Sequence, residues 1–418
     1  MKAAQRLIVW LVMLASIVLV SDSCFGSGFA LYEAGARANA MAGAMVARAD
    51  DPSALFFNPA GITQLPGLQM MAGATFVMPS TDVTTYAPNG VGTTTSTLGN
   101  VWVPPHLYVT YQANDKIWLG LAVFSPFGLG TEFPSNWPGQ YNSYKAVIQT
   151  VNINPNLAYK VNDKLSFALG LDINYFTLDL KRNVLTPFGG VGASLQGDSI
   201  GVGCNAALHY RPFDWLKLGL SYRSQMTQDV TGDAKFSRPA GMPGVLFRDT
   251  TANGQITLPD EFYFGAAFYP DKKLSVELGL IWTRWSTYED LRIQYETAPG
   301  GPGSSPITTD VKNWHNVLRP FIGAEYKALD WLDLRAGFAW DQEASDVQFV
   351  DYLVPANDRF LFSFGPGFHY KNWTLDLSYT YLLIVDRNDV PAHPTGVLPS
   401  SFSNGYAHMV GCSLGYKF

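Results

Sequence analysis

Apolar and polar residues alternate along most of this chain. Residues 372–384 show it most plainly: Trp373, Leu375, Leu377, Tyr379 and Tyr381 fall on one side, and Thr374, Asp376, Ser378 and Thr380 on the other. A strict period of two places successive side chains on opposite faces of a β-strand. Comparable stretches lie near 67–79, 105–113, 116–125, 145–160, 164–180, 198–210, 215–236, 254–269, 273–295, 313–327, 331–341, 358–370, 372–386 and 405–418. That is roughly 14 strands, an even number. Their connections alternate between short turns, such as Asn114-Asp115, Asn162-Asp163 and Lys371-Asn372, and long Gly-, Pro-, Ser- and Thr-rich segments near 80–104, 126–144, 181–197, 237–253, 296–312, 342–357 and 387–404. A soluble sandwich or a propeller has no reason to gather every long connection at one end. A transmembrane barrel does, with short periplasmic turns and long extracellular loops. The pattern therefore predicts an all-β fold, a 14-stranded antiparallel transmembrane β-barrel with apolar faces towards lipid and polar faces towards the lumen.

Composition narrows the picture. The chain has 418 residues, a formal charge of -6, 15% charged and 14% aromatic residues, and 39 Gly. Few charges with many aromatics argue against disorder, and scattered basic residues leave no nucleic-acid footprint. Residues 1–26 read as a signal peptide: Lys2 and Arg6 precede an apolar run at 7–20, and small residues near Gly26 suit cleavage. An uncleaved anchor is the alternative, and Cys24 raises the further option of a lipoprotein. No later apolar run is long enough for a membrane helix. Cys204 and Cys412 fall on apolar strand faces and read as packing residues.

Residues 27–65 do not alternate. They are rich in Ala and Gly, 30–49 suits a broken helix, and Asn58-Pro59-Ala60-Gly61 is a turn signal. The bland reading is a loop leading into the first strand. A segment this long, with nowhere to pack outside a barrel, is expected to fold back into the lumen as a hatch or plug. The expected division is 1–26 signal peptide, 27–65 N-terminal plug and 66–418 barrel.

Starting the chain at the periplasm orients each strand and gives the inward residues a height. On 164–180, Ser166, Gly170, Asp172 and Asn174 face in low down, and Phe176, Leu178 and Leu180 face in above them. On 372–386, Thr374, Asp376 and Ser378 are followed by Leu382 and Ile384. On 273–295, Ser275 and Glu277 give way to Ile281 and Trp285, and on the descending strand Arg359 and Leu361 precede Ser363, Gly365 and His369. A polar lower lumen beneath an apolar upper one suits a greasy ligand, held by about 25 cal/mol per Å² of apolar area removed from water. A bulge that flips a strand would instead turn these residues to lipid. Arg182, Arg319 and Arg359 are candidate partners for a ligand carboxylate, against the alternative that each pairs with an acidic group of the wall or plug. Ser125, Pro126, Phe127 and Gly128 end the third strand. Pro removes a ladder donor and Gly permits a bend, which marks either an ordinary strand end or a lateral opening in the wall.

Several blocks together resemble the long-chain fatty-acid transporter (FadL) and aromatic-hydrocarbon uptake family of outer-membrane proteins. They are Gly-Phe-Ala-Leu-Tyr-Glu at 28–33, Ala-Asp-Asp at 49–51, Asn58-Pro59-Ala60, Trp102-Val103-Pro104, Phe-Gly-Leu-Gly-Thr-Glu-Phe at 127–133, Tyr222-Arg223-Ser224, Trp-Thr-Arg-Trp-Ser at 282–286 and Asp358-Arg359-Phe360. The resemblance spans the mature chain. It implies a barrel whose periplasm-side hatch includes Asn58, Pro59 and Ala60, ligand capture near the extracellular loops, an apolar pocket, and sideways release at the third-strand kink after a hatch rearrangement. Gly128 matches the kink region and Pro126 is an additional break. The loops, 181–197 among them, look short for the family.

The leading expectation is passive uptake of long-chain fatty acids or hydrocarbons across a bacterial outer membrane, with no cofactor, no metal and no catalytic residue. Expected partners are the hydrophobic ligand, outer-membrane lipid and the barrel-assembly machinery, for which a terminal Phe418 on an alternating strand is a fitting signal. No nucleic acid is expected. The alternatives are an outer-membrane hydrolase, for which the six scattered His residues offer no metal spacing and no His-Glu-x-x-His, a general diffusion porin, and a structural or adhesin barrel.

Overall fold

A computed structural model describes residues 28–418; the signal-peptide reading, Cys24 included, and Ser27 lie outside the described residues. The strand segments form one antiparallel sheet of 21. Around the ring they make 14 staves, because several staves are broken in two. In chain order they are β1 (Leu68–Tyr86), β2 (Gly92–Ser96), β3 (Pro105–Gln112), β4 (Ile117–Phe124), β5 (Gly128–Glu132), β6 (Lys145–Asn162), β7 (Leu165–Thr186), β8 (Gly189–Phe213), β9 (Leu216–Arg223), β10 (Met226–Ser237) and β11 (Thr250–Leu258). They continue with β12 (Glu261–Phe268), β13 (Leu274–Thr283), β14 (Asp290–Tyr295), β15 (Ile307–Val311), β16 (Val317–Leu329), β17 (Leu332–Asp341), β18 (Arg359–Tyr370), β19 (Trp373–Ile384), β20 (Arg387–Val390) and β21 (Ser400–Lys417). β1 pairs with β21 along most of its length, which closes the ring.

The outward faces carry what only lipid tolerates. Leu169, Ile200 and Val202 are 67%, 68% and 66% exposed. Exposed Tyr111, Tyr159, Phe213, Trp331, Tyr370 and Trp373 gather at the short-turn end, where an aromatic girdle belongs. The short turns share one local device. Asn114, Asn162 and Asp271 each turn a side-chain Oδ1 back to accept two backbone N–H groups, at 2.7–3.0 Å. At the other end one expectation fails: residues 181–197 form no long loop. β7 runs to Thr186 and β8 starts at Gly189, so the two strands continue as a tight hairpin above the wall. Ser, Gly and Thr read as loop there, but in a two-stranded extension they pair as well as any residue.

Residues 28–65 lie inside the ring. They contain two short helical turns, Ala36–Asn39 and Ala54–Phe57, and a 3₁₀ turn, Pro59–Gln64. The Ala and Gly content has a packing reason, since backbone here runs in contact with the wall. A Cβ at Gly219 would stand 2.1 Å from the Val46 carbonyl oxygen, and one at Gly337 2.2 Å from the Met41 carbonyl carbon. Polar inward residues of the lower wall hold this segment. Glu277 accepts the backbone N–H groups of Val46, Ala47 and Arg48 at 2.7, 3.0 and 2.8 Å. Ser413 Oγ accepts from Ala36 N, Asn39 Nδ2 donates to Thr75 Oγ1, and Thr63 Oγ1 donates to Ser166 Oγ. Arg37 reaches Glu325 and Asp50 at 2.8 Å, and Arg335 joins Glu325 (2.8 Å) to Asp376 (2.6 Å).

Replacing Glu277 by Ala strands three buried amides, at roughly 1–3 kcal/mol each. The expected result is fast hydrogen exchange at residues 46–48 in a barrel that still shows its heat-modifiable gel shift. Unchanged exchange at those amides would show that the carboxylate is not their anchor.

Candidate functional site

The upper lumen contains two connected cavities rather than one pocket. The upper pocket, about 50 Å³, is walled by Phe176, Leu178 and Leu180 of β7, Leu195 of β8, Val230 of β10, Ile256 of β11, and Leu129, Ile148, Tyr288 and Trp314. The first three are the inward residues expected on that strand. Its mouth, about 100 Å³, shares Leu180 and Leu195 and adds Arg182. The side chamber, about 400 Å³, takes in Arg319, Arg359, Leu361, Leu382 and Ile384. Leu129 and Ile148 border both. Ile281 and Trp285, expected in the pocket, are fully buried packing residues outside the lining of either. The stave carrying Trp285 breaks after Thr283 into a 3₁₀ turn, Trp285–Thr287, and this turns the indole onto Phe29.

Phe29 marks where the two cavities meet. Its ring lies 4.7 Å from Trp285, 5.9 Å from Trp314, and 6.1 Å from both Tyr288 and Phe127, mostly edge-on. It borders the upper pocket, while Gly28, Ala30, Leu31 and Tyr32 border the side chamber. Sequence reasoning missed Phe29, Tyr288 and Trp314. Phe29 sits in the non-alternating N-terminal segment, and Tyr288 and Trp314 fall within the expected strands 273–295 and 313–327 where the structure breaks the strand, between β13 and β14 and between β15 and β16, so a period of two misplaces them.

Residues 125–128 interrupt the wall. β4 pairs with β3 as far as Leu107↔Val123 and with β6 as far as Phe124↔Asn152. β5 resumes at Gly128↔Gln149, so four steps on one strand face three on the other, and β5 pairs with β6 alone. Thr150 Oγ1 satisfies both backbone groups of Phe127 on the β6 side. On the vacant side the N-terminal segment acts as a substitute strand: Leu31 N donates to Pro126 O at 2.8 Å, and Gly128 N to Phe29 O at 2.9 Å. The side chamber passes this break. It is bounded within by Tyr32 and Leu361 and without by lipid-facing Val103 and Val151.

Charge is distributed unevenly. Arg359 pairs with Asp341 at 2.8 Å, and Arg319 reaches the same carboxylate at 3.9 Å, donates to the Ala42 carbonyl and lies 4.5 Å over the Tyr32 ring. Two of the three expected carboxylate partners are thus committed to the protein itself, because a buried guanidinium must be paired within the fold. Lys312, which sequence reasoning passed over, lies at the upper pocket between Asp310 and Asp351. Burial opposes its charge, but Asp351, Tyr288 and Asp310 outweigh this and push its pKa above the usual lysine range. Arg182 at the mouth is half-buried and has no ion pair among the described residues. Asn58, of the expected hatch motif, is fully buried and donates to the Val46 and Leu208 carbonyls. Below, a charged bowl of about 920 Å³ opens at the periplasmic end, lined by Arg37, Asp51, Asp333 and Arg335 among others. One hydrolase-like string, Gly197-Asp198-Ser199-Ile200-Gly201, needs placing. It runs along mid-strand β8, not at a strand-to-helix turn, and Ser199 Oγ donates to Gln228 Oε1.

The two cavities separate two variants. Leu178→Asp, which buries a carboxylate in the upper pocket, is expected to lower affinity for a fluorescent fatty-acid probe more than about tenfold. Leu382→Asp, in the side chamber, should leave that affinity within about twofold. Equal losses in both folded variants, by equilibrium titration in detergent, would merge the cavities into one site.

Comparison with known proteins gives this architecture its relatives. The family model described as outer membrane protein transport protein (OMPP1/FadL/TodX) matches residues 17–418. A putative outer membrane protein of Neisseria meningitidis serogroup B is 27% identical over 97% of this chain and 98% of its own length. A long-chain fatty acid transport protein of Escherichia coli O6:H1 is 25% identical over 96% and 97%. Among solved structures, a Pseudomonas aeruginosa FadL homologue superposes with a TM-score of 0.82 at 19% identity, covering 94% of this chain and 100% of that one. The Pseudomonas putida toluene transporter TodX gives 0.73 at 20% identity over 94% and 100%. With a family model matched along nearly its whole length and a closed 14-stave barrel to carry it, this chain belongs to the OMPP1/FadL/TodX family of outer-membrane transport proteins.

Proposed function

We propose that this protein is a passive outer-membrane channel for hydrophobic molecules, which it binds in the upper pocket and releases sideways into the membrane at residues 125–128. The observation that carries the reading is the side chamber, which reaches from the aromatic cage of Phe29 to lipid-facing Val103 and Val151. A ligand enters past the β7–β8 hairpin, places its chain among Phe176, Leu178 and Leu180, and leaves when Phe29 withdraws. Residues 28–65, with Asn58, Pro59 and Ala60, act as the hatch. Their grip on the lower wall closes the straight route to the periplasm.

Energetics favour the side route. Each methylene buried in the pocket is worth about 0.8 kcal/mol, and passing into acyl chains keeps nearly all of it. Passing down through the charged bowl would return every methylene to water. The names of relatives support both ligand classes, a fatty acid transport protein and a toluene transporter. Arg182 is the group here suited to a carboxylate, because Lys312, Arg319 and Arg359 already hold carboxylates of the protein. No step calls for a cofactor or a catalytic residue. Outer-membrane lipid receives the ligand, and the β21 strand ending in Phe418 suits recognition by the barrel-assembly machinery.

Replacing residues 125–128 by Val-Thr-Val-Thr, which suits an unbroken strand, should abolish uptake into whole cells while equilibrium binding persists. Normal uptake by that variant would remove the lateral route. Arg182→Ala should weaken a long-chain fatty acid about tenfold and leave toluene unaffected, tenfold being the loss of about 1.4 kcal/mol of ion pairing. Equal effects on both ligands would take the carboxylate away from Arg182.

A further inference from the structure

Above the Leu107↔Val123 pair, no ladder joins the β3 stave to β5. Below the N-terminal substitute strand the wall is whole. Above it, the gap is crossed by one backbone hydrogen bond at its top, Leu98 N to Glu132 O at 2.8 Å, and below that by the side chain of Trp102. The backbone of Trp102 is pinned to β1 by two hydrogen bonds, Val77 N to Trp102 O at 2.8 Å and Trp102 N to Val77 O at 2.9 Å. From there its indole reaches across to β5 and lies flat on the backbone of Gly130, where a Cβ would stand 2.0 Å from the ring. Only Gly at 130 leaves room for it. The neighbours Val101 and Val103 are 54% and 47% exposed on the lipid side, and Trp102 itself lines the side chamber. The indole N–H is buried and has no hydrogen-bond partner among the described residues.

We propose that Trp102 is the membrane-side door of the side chamber, setting how fast ligand leaves and favouring ligands that carry a hydrogen-bond acceptor. The proposal rests on lateral release at residues 125–128. Its physical basis is the kind of contact involved. A ladder yields only by breaking several backbone hydrogen bonds at once, whereas a ring resting on a glycine slides off by rotating its own side-chain torsions. The backbone that carries the ring stays fixed to β1, so the door swings without opening the barrel. The unpartnered N–H adds selectivity. A carboxylic acid or hydroxyl group arriving in the chamber gives this donor the acceptor it lacks in the closed state, and the exit barrier falls for that ligand relative to a bare hydrocarbon.

The test is ligand release from the full mature protein in liposomes, following cis-parinaric acid, a fluorescent carboxylic acid, and diphenylhexatriene, a fluorescent hydrocarbon, into acceptor phospholipid vesicles by stopped flow. Trp102→Ala should speed release of both probes about tenfold and leave their equilibrium affinities within about twofold. Gly130→Leu, which displaces the ring by filling its seat, should do the same, and it keeps the question open to measurement if the first variant fails to assemble. Trp102→Phe keeps a ring without the N–H. It should slow parinaric acid relative to diphenylhexatriene severalfold, and an unchanged ratio would overturn the selectivity. Unchanged release in both Trp102→Ala and Gly130→Leu would overturn the door. If the 125–128 strand replacement still blocks release in that case, lateral exit stands without this door; if it releases normally, both readings fall.

Discussion

Inside a bilayer no water is available to backbone N–H and C=O groups, so a spanning wall must pair all of them within the protein. The third stave strains that rule between Phe124 and Gly128: its ladder to the second stave ends at Leu107↔Val123, and Pro126 lacks a donor. The missing partner is supplied from inside, by the backbone of residues 29–31, through Leu31 to Pro126 and Phe29 to Gly128. The break in the wall and residues 29–31 are therefore one structure. Whatever moves the N-terminal segment also reopens the edge of the wall.

The same segment divides the interior. Its lower part is held by the ion pairs of Arg37 and Arg48 with Glu325 and by carboxylate-to-backbone bonds such as those of Glu277, interactions that are costly to break one partner at a time. Its upper part is held by the edge-on contacts of Phe29, by two strand-like hydrogen bonds, and by Tyr32, whose hydroxyl reaches Glu261 and Thr283 and whose ring lies under Arg319. Phe29 also borders the upper pocket, so the N-terminal segment and that cavity share one set of aromatic surfaces.

Electrostatics in the upper lumen follow a rule of local neutrality. Arg319 and Arg359, which read in sequence as partners for a ligand carboxylate, and Lys312, which did not, are each matched by Asp341, Asp310 or Asp351. What remains is an apolar pocket with Lys181 and Arg182, both half-buried, at its mouth. Such a site grips by area and orients by one end, which suits a protein whose relatives carry names from fatty acid transport to toluene transport.

The period-two pattern by itself determined the barrel and its staves, and the facing of residues wherever a strand runs unbroken. Phe176, Leu178 and Leu180 point inwards as their alternation requires, and Ser166, Asp172 and Glu277 lie below among polar neighbours. Local chemistry also marked the Asn and Asp turns and the interruption at Pro126. Tertiary structure alone decided the rest, because it depends on residues distant in the chain. The partner of Lys312 lies 39 residues away at Asp351, and a side chain's charge says nothing about whether a carboxylate will be folded against it. The split of the expected lining into a pocket and a chamber depends on Phe29, brought beside Trp285 by the return of the N-terminal segment into the lumen. Alternation tells which way a strand residue points, because the pleat is local. It cannot tell what fills the space it points into, because that space exists only once the ring has closed.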